Sequence, residues 1–208
     1  MTDARAVGGD LLPDDGPERS APAWWNNRYL SGDAPWDTGI VPPELHEVVS
    51  SGLLSPGWAF DLGCGSGLNA RYLARHGWRV IGVDLALAPL ARGLQAAQAA
   101  GLPAHFILGD VAAYPVAELQ AAFALDIGCF HAVSRDHRAA YAAELARLTR
   151  SGAYYLLYTF EPWEAADGGP GGVGPADLSI FGIAFTLVWA RHGYDGARPS
   201  AWYLFRRI

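Results

Sequence analysis

The chain has 208 residues, 51% of them hydrophobic and 17% charged, which suits one domain with a full core and excludes a disordered chain. The formal net charge is −6 and all fifteen cationic residues are Arg, a balance that argues against a nucleic-acid partner, which usually meets a basic stripe. The two cysteines, Cys64 and Cys129, lie far apart, so they suggest neither a disulfide framework nor a zinc spacing, and no bound metal is expected.

No apolar run reaches about 18 residues, so no membrane span is expected. The N-terminus carries acids and prolines where a signal peptide needs a basic and then an apolar stretch, so a cytoplasmic protein is expected. The absence of Lys beside abundant Ala reads as the codon bias of a GC-rich genome, with a bacterial source the expectation. The sequence leaves the oligomeric state open, and a monomer is compatible with it.

In chain order, residues 1–21 carry Gly, Pro and acids with little periodicity and read as a flexible tail. The domain proper is expected over 22–208, opening with a helical lid over 22–54. In "PAWWNNRYLSGDAPWDTG" three Trp and a Tyr crowd into a short span, and "PPELHEVVSSG" reads as a short helix between Pro and Gly. From Trp58 the pattern alternates. "WAFDLG", "RVIGVD", "AHFILGD", "FALDIGCF" and "AYYLLYTF" read as strands. Between them come helices at "LNARYLARHG" and "LAPLARGLQAAQAAG", the latter with Leu87, Leu90 and Leu94 at helical spacing. A short helical turn is expected near 116–120. A helix capped by Ser134 comes next, with Tyr141, Leu145 and Leu148 as its buried stripe and Gly152 at its end. A Gly-rich loop, 167–174, is either a flap or a linker. "IAFTLVWARH" and "AWYLFRRI", joined by "GYDGARPS", form an antiparallel hairpin. Alternating strands and helices imply an α/β domain with a mainly parallel sheet covered on both faces.

Such sheets bind ligands beyond the carboxyl ends of their strands. At the end of the first strand stands Asp61-Leu62-Gly63-Cys64-Gly65-Ser66-Gly67. A dinucleotide fingerprint needs its last Gly two residues after the second; here Gly67 comes one residue early and Leu68 fills that place. The carboxylate of Asp61 would repel a pyrophosphate at the helix N-terminus. A phosphate-free nucleoside with a positively charged tail suits the loop better, and S-adenosylmethionine, with its ammonium and sulfonium, has that chemistry. Asp84 ends the second strand, about 20 residues after the glycines, where two carboxylate oxygens can take both ribose hydroxyls. Leu85 would lie against the adenine. Asp110 ends the third strand.

The Asp61-x-Gly63-x-Gly65-x-Gly67 stretch resembles the first motif of class I S-adenosylmethionine-dependent methyltransferases. The resemblance implies a single Rossmann-like domain with a seven-stranded mixed sheet, order 3-2-1-4-5-7-6, its last strand antiparallel. It implies that Asp84 binds the ribose, that Asp110 accepts from the adenine amino group, and that the backbone of Val111 reads the ring edge. S-adenosylhomocysteine would be the product. "WNNRYLSGDAPWDTGIVPPEL" further resembles the N-terminal signature of thiol, halide and thiopurine methyltransferases, as does "LDIGCFHAV" followed by Arg138 and Tyr141. That subset implies that Trp25, Tyr29 and Trp36 cover the cofactor. Aromatic faces attract a sulfonium by roughly 1–2 kcal/mol once water is excluded. Asp126 and Ile127, ending the fourth strand, complete the expected cofactor-binding set with Cys64. The halide and thiol enzymes typically carry Tyr where Ile127 stands and thiopurine enzymes Arg, so the acceptor class stays open.

Methyl transfer is an in-line displacement that needs the acceptor held opposite the sulfur and water kept out. His131, after the fourth strand, is the best-placed base by sequence. Tyr158, Glu161 and Trp163, at the end of the fifth strand, are expected to line the site of a small-molecule acceptor. A non-catalytic S-adenosylmethionine-binding protein and a nicotinamide-dependent oxidoreductase are the alternatives.

Overall fold

A computed structural model of the chain describes residues 21–116, 119–164 and 170–208. Two helices come first, α1 (Pro22–Ser31) and α2 (Pro43–Ser50). Each starts with Pro in its first turn, where a missing N–H costs nothing. The alternating run comes next: β1 (Trp58–Leu62), α3 (Leu68–Arg75), β2 (Arg79–Asp84), α4 (Leu87–Ala99), β3 (Ala104–Leu108), β4 (Ala121–Ile127), α5 (Arg135–Leu148) and β5 (Thr149–Phe160). A small ribbon pairs β6 (Trp163–Glu164) with β7 (Pro170–Gly171). After the single-turn α6 (Pro175–Leu178), a hairpin of β8 (Phe185–Asp195) and β9 (Arg198–Arg207) closes the chain.

The main sheet runs β3-β2-β1-β4-β5-β9-β8, which is the expected order 3-2-1-4-5-7-6 once the ribbon is set aside. The pairs from β3 to β5 are parallel, and β9 runs antiparallel to both β5 and β8. Alternate side chains along the strands go to opposite faces. On one face Leu45 and Val48 of α2 and Leu73 of α3 pack with Phe123 and Leu125. On the other, Tyr141 and Leu145 of α5 pack with Phe60, Tyr155 and Phe205. Helices therefore cover both faces, and the polar strand ends are left at one rim.

Four expectations change. The stripe of α4 is Pro89, Leu90, Gly93 and Ala97; Leu87 and Leu94 stay exposed, because the small residues let the helix lie close to the glycine loop. Val116, Leu119 and Gln120 are not helical, and Gln120 has φ 53°; residues 117–118 lie outside the described set. Gly152 does not end α5. The helix stops at Leu148, and Gly152, at φ 77°, sits inside β5 where its register with β4 shifts. The β8–β9 turn is Gly196–Ala197 alone, with Asp195 paired to Arg198, so the strands run farther than the sequence indicated. The expected tail lies outside the described residues except for Ala21, as do residues 165–169, which include the first three of the Gly-rich loop.

Candidate active site

β1, β2 and β4 end at one rim, and the loop after β1 makes its floor. Gly63, Gly65 and Gly67 all have positive φ, at 69°, 51° and 69°. Gly67 is the N-cap of α3, so the loop turns directly into a helix start. At Gly65 a Cβ would stand 2.5 Å from Tyr29 Oη, and one at Gly67 would collide with the Phe106 ring. Only glycine allows both the backbone turn and these approaches.

Asp84 ties this loop down. Its Oδ2 accepts the Gly65 N–H at 2.8 Å and its Oδ1 accepts the Ala86 N–H at 2.8 Å. Burial raises its pKa even so. The Leu85 N–H also reaches this carboxylate, whose two oxygens offer about four acceptor sites, so room remains for a ligand hydroxyl. Leu85 comes next in the chain, half-buried. Asp110 is exposed and takes the Ala112 N–H at 2.8 Å, while Val111 is buried.

Asp61 is the unusual member. It is buried; the Ala70 N–H reaches its carboxylate, yet its Oδ2 has no hydrogen-bond partner among the described residues. Burial first, then the neighbouring Asp126 and Asp84, push it up to about 7. A buried carboxylate oxygen without a donor is costly unless something supplies one. This orphaned oxygen beside a glycine cradle fits the ammonium-bearing, phosphate-free nucleoside expected from the sequence.

Asp126 differs. Its Oδ1 accepts the N–H groups of Cys129 and Phe130 at 2.8 and 3.2 Å, and its Oδ2 accepts the Tyr141 hydroxyl at 2.7 Å. Buried, it is also held up to about 7. Its partners make it the brace of the turn after β4, with Ile127 beside it at the strand end. Arg138 backs the same turn, donating to the Val133 carbonyl at 3.1 Å while pairing with Asp177 at 2.6 Å. Cys64 is buried, its Sγ packed where a Cβ on Gly82 of β2 would stand, and Cys129 packs on Gly63. Burial pushes both thiols well above their usual range, which disfavours the thiolate form.

The three lid aromatics meet. Trp36 Nε1 donates to Tyr29 Oη at 2.8 Å, and the Trp36 ring lies 5.4 Å from that of Trp25 and 5.9 Å from that of Tyr29. Two residues that sequence reasoning passed over dock this lid. Asp37 accepts the Ser66 hydroxyl at 2.6 Å, and Asn26 accepts the Ala88 N–H at 2.8 Å, capping the first turn of α4 from another helix. The signal was present in "NN" and "WD", but nothing local names their partners.

His131 lies in the turn after β4, its ring 4.9 Å from Phe160 and its Nδ1 3.5 Å from Thr159 Oγ1. Burial, with Arg198 and Arg138 nearby, lowers it to about 3. An imidazole that resists protonation so strongly is a weak base near neutrality, which argues against the role expected from its position. Tyr158 lines a cavity of about 460 Å³ beyond the carboxyl ends of β5 and β8 and the amino end of β9, walled on one side by the start of α2. Glu161 and Trp163 are not among its lining residues: Glu161 Oε1 lies 2.9 Å from His192 Nδ1, and Trp163 packs edge-on to Phe160. Among the described residues no group of His, Cys, Asp or Glu is placed to hold a metal ion, and no helix is long and apolar enough to cross a membrane.

Comparison with known proteins adds four likenesses. Residues 59–152 match a family described as a methyltransferase domain. A probable thiol methyltransferase of Arabidopsis thaliana is 26% identical over 160 residues, 75% of this chain and 67% of the relative. An uncharacterised methyltransferase of Schizosaccharomyces pombe is 27% identical over 100 residues, 48% of this chain and 69% of the relative. Among solved structures, a Burkholderia thailandensis 1,6-didemethyltoxoflavin-N1-methyltransferase, with 1,6-didemethyltoxoflavin and S-adenosylhomocysteine bound, superposes with TM-score 0.77. It is 21% identical, over 95% of this chain and 92% of its own, a likeness of fold.

Proposed function

This chain is a class I S-adenosylmethionine-dependent methyltransferase, and from that premise we propose that it moves a methyl group to a small-molecule acceptor by in-line displacement. S-adenosylmethionine supplies a methyl carbon made electrophilic by its sulfonium. The chain's own residues do the rest. Asp84 takes the ribose hydroxyls, Asp110 the adenine amino group, and Asp61 Oδ2 faces the ammonium. Trp25, Tyr29 and Trp36 roof the sulfonium and exclude water, which would otherwise screen the charge and compete for the methyl. Asp126 acts through the turn it braces.

The observation that carries this reading is the orphaned Asp61 Oδ2, set in a glycine loop, with a cavity large enough for a small acceptor at the same end of the sheet. The likeness to a probable thiol methyltransferase and to an enzyme holding a nitrogen heterocycle sets the span of acceptors to try. No dedicated base is assigned. Proximity and orientation supply most of what a methyl transfer needs.

The test is incubation with S-adenosylmethionine labelled in the methyl group and a panel of thiols, phenols, amines and heterocyclic N–H compounds. Label transferred to a panel member supports the reading. Tight binding of S-adenosylhomocysteine with no transfer to any of them supports a cofactor-binding protein without turnover. In the active system His131→Gln should keep turnover within about threefold, since a base this weak near neutral pH contributes little proton transfer.

A further inference from the structure

The cavity beside Tyr158 carries a chemical preference of its own. Its floor is aromatic: the rings of Tyr158 and Trp202, directly paired across β5 and β9, lie 4.9 Å apart at 44°. A hydroxyl chain crosses that floor. Ser200 hydrogen-bonds the Tyr158 oxygen, and Tyr158 donates to Asp195 Oδ2 at 3.2 Å. Asp195 and Ser200 reach the cavity because β8 and β9 continue to the two-residue turn at Gly196. Glu44, in the first turn of α2, closes the other wall.

The charge is one-sided. Arg191 also lines the cavity, but both its terminal nitrogens are engaged by Glu47, at 2.6 and 2.6 Å. Arg198 acts on Tyr158 and Asp195 from outside, its guanidinium resting 3.7 Å over the Phe160 ring. Among the lining residues two carboxylates, Glu44 and Asp195, stand against one guanidinium, Arg191, which Glu47 already pairs, and this leaves a negative balance. Carboxylates accept hydrogen bonds and cannot donate them. A ligand here must bring its own N–H or O–H groups, and an anion is repelled. The cavity also adjoins the turn after β4. The Gly128 N–H, next after Ile127, donates to the Tyr158 carbonyl at 3.1 Å.

We propose that this cavity takes a flat, neutral or cationic ring that bears N–H or O–H donors, and presents it as the methyl acceptor, in preference to anionic acceptors such as thiolates. The ring lies against Tyr158 and Trp202 while its donors meet Asp195 and Glu44. The inference rests on the methyl-transfer reading above and narrows its acceptor.

The experiment is calorimetry on the S-adenosylhomocysteine complex with 4-aminoquinoline, 2-aminobenzimidazole and tryptamine, set against the anionic ring thiosalicylate. At least one of the three donor rings should bind and thiosalicylate should not. Glu44→Gln and Asp195→Asn should each weaken the bound ring about tenfold, the worth of a hydrogen bond to a charged group, with S-adenosylhomocysteine affinity unchanged. The two sites lie on different elements, so a folding defect in one variant leaves the other to report. Failure of all three donor rings to bind, equal binding of thiosalicylate, or indifference to both substitutions would each overturn the proposal. Binding with the expected selectivity but no methyl transfer to any acceptor would instead overturn the small-molecule methyltransferase reading, leaving the ligand class supported.

Discussion

The carboxylate of Asp84 accepts the backbone N–H of Gly65 at 2.8 Å, joining the end of β2 to a residue 19 positions earlier. The same side chain holds the Ala86 N–H, so one residue shapes the glycine loop and the start of α4 together. Asp84→Ala should therefore have two separable effects. Cofactor affinity should fall by roughly 1.5–3 kcal/mol, tenfold or more, from losing bonds to a charged acceptor. The ligand-free protein should also melt earlier, because two buried N–H groups lose their partner. Titration with S-adenosylhomocysteine beside a melting curve separates them; a lower melting point at unchanged affinity would make Asp84 a scaffold residue only.

Gly65 and Tyr29 should be coupled. Gly65→Ala places a methyl 2.5 Å from Tyr29 Oη at a residue with φ 51°. The left-handed backbone alone costs about 1–2 kcal/mol for Ala, and the collision adds to it. Tyr29→Phe removes the colliding oxygen and leaves the backbone cost. A denaturation cycle over the two single variants and the double should show Gly65→Ala costing less in the Tyr29→Phe background. Strict additivity would mean that the lid does not rest on the loop.

Trp36 should distinguish the two forms of the cofactor. Arg28 lies 5.1 Å from the centroid of its ring, so one cation already uses this indole. The sulfonium is the second candidate. Trp36→Ala should weaken S-adenosylmethionine by about 1–2 kcal/mol more than neutral S-adenosylhomocysteine, because the two ligands share their adenosine contacts and differ at sulfur. Equal loss for both would leave Trp36 as packing and as the donor to Tyr29.

Asp61 should make stability and binding pH-dependent. Its folded pKa, about 7, lies above its ordinary value of 3.8, so the folded chain holds a proton that the unfolded chain has released. Its contribution to stability is present below pH 3.8 and is lost as pH rises through about 7. Asp61→Asn removes that loss, so in the ligand-free state the variant should gain on the wild type between about pH 5 and about pH 8. A cation beside the carboxylate favours its charged form, so S-adenosylmethionine should release a proton on binding near pH 6, roughly one unit below that pKa. Calorimetry in buffers of different ionisation enthalpy reads that proton directly. A binding enthalpy independent of buffer, in wild type and variant alike, would take Asp61 away from the ligand.

Much of the site is legible in the sequence, because its parts are written locally. Alternation identified the strands, and the positions after them identified Asp61, Asp84 and Asp110 at one rim of a parallel sheet. The glycine spacing and the Asp61 carboxylate argued against a pyrophosphate, and the backbone angles at Gly63, Gly65 and Gly67 agree with a turn that only glycine makes easily. What sequence reasoning misassigned was set by neighbours. Gly152 looks like a helix stop because Gly often is one, yet the pairing of Ala121 with Thr149 pulls the chain into β5 first. The eight residues "GYDGARPS" look like a loop, yet cross-strand pairing reduces it to two.

The sequence by itself determined the order of elements, the sheet and the acids at the strand ends, since side-chain periodicity and residue spacing depend only on near neighbours. Tertiary structure alone decided what each acid does. Asp61 and Asp126 stand near the ends of adjacent strands and are held at similar pKa, about 7. Asp126 meets Tyr141 and two backbone N–H groups, whereas Asp61 keeps an oxygen without a donor. The same holds for His131, whose pKa burial lowers to about 3, and for the docking of Asn26 on α4, 62 residues away. Hydrogen bonding and desolvation act between atoms that the fold brings together, and the free energy of a charge depends on those atoms rather than on its place in the chain.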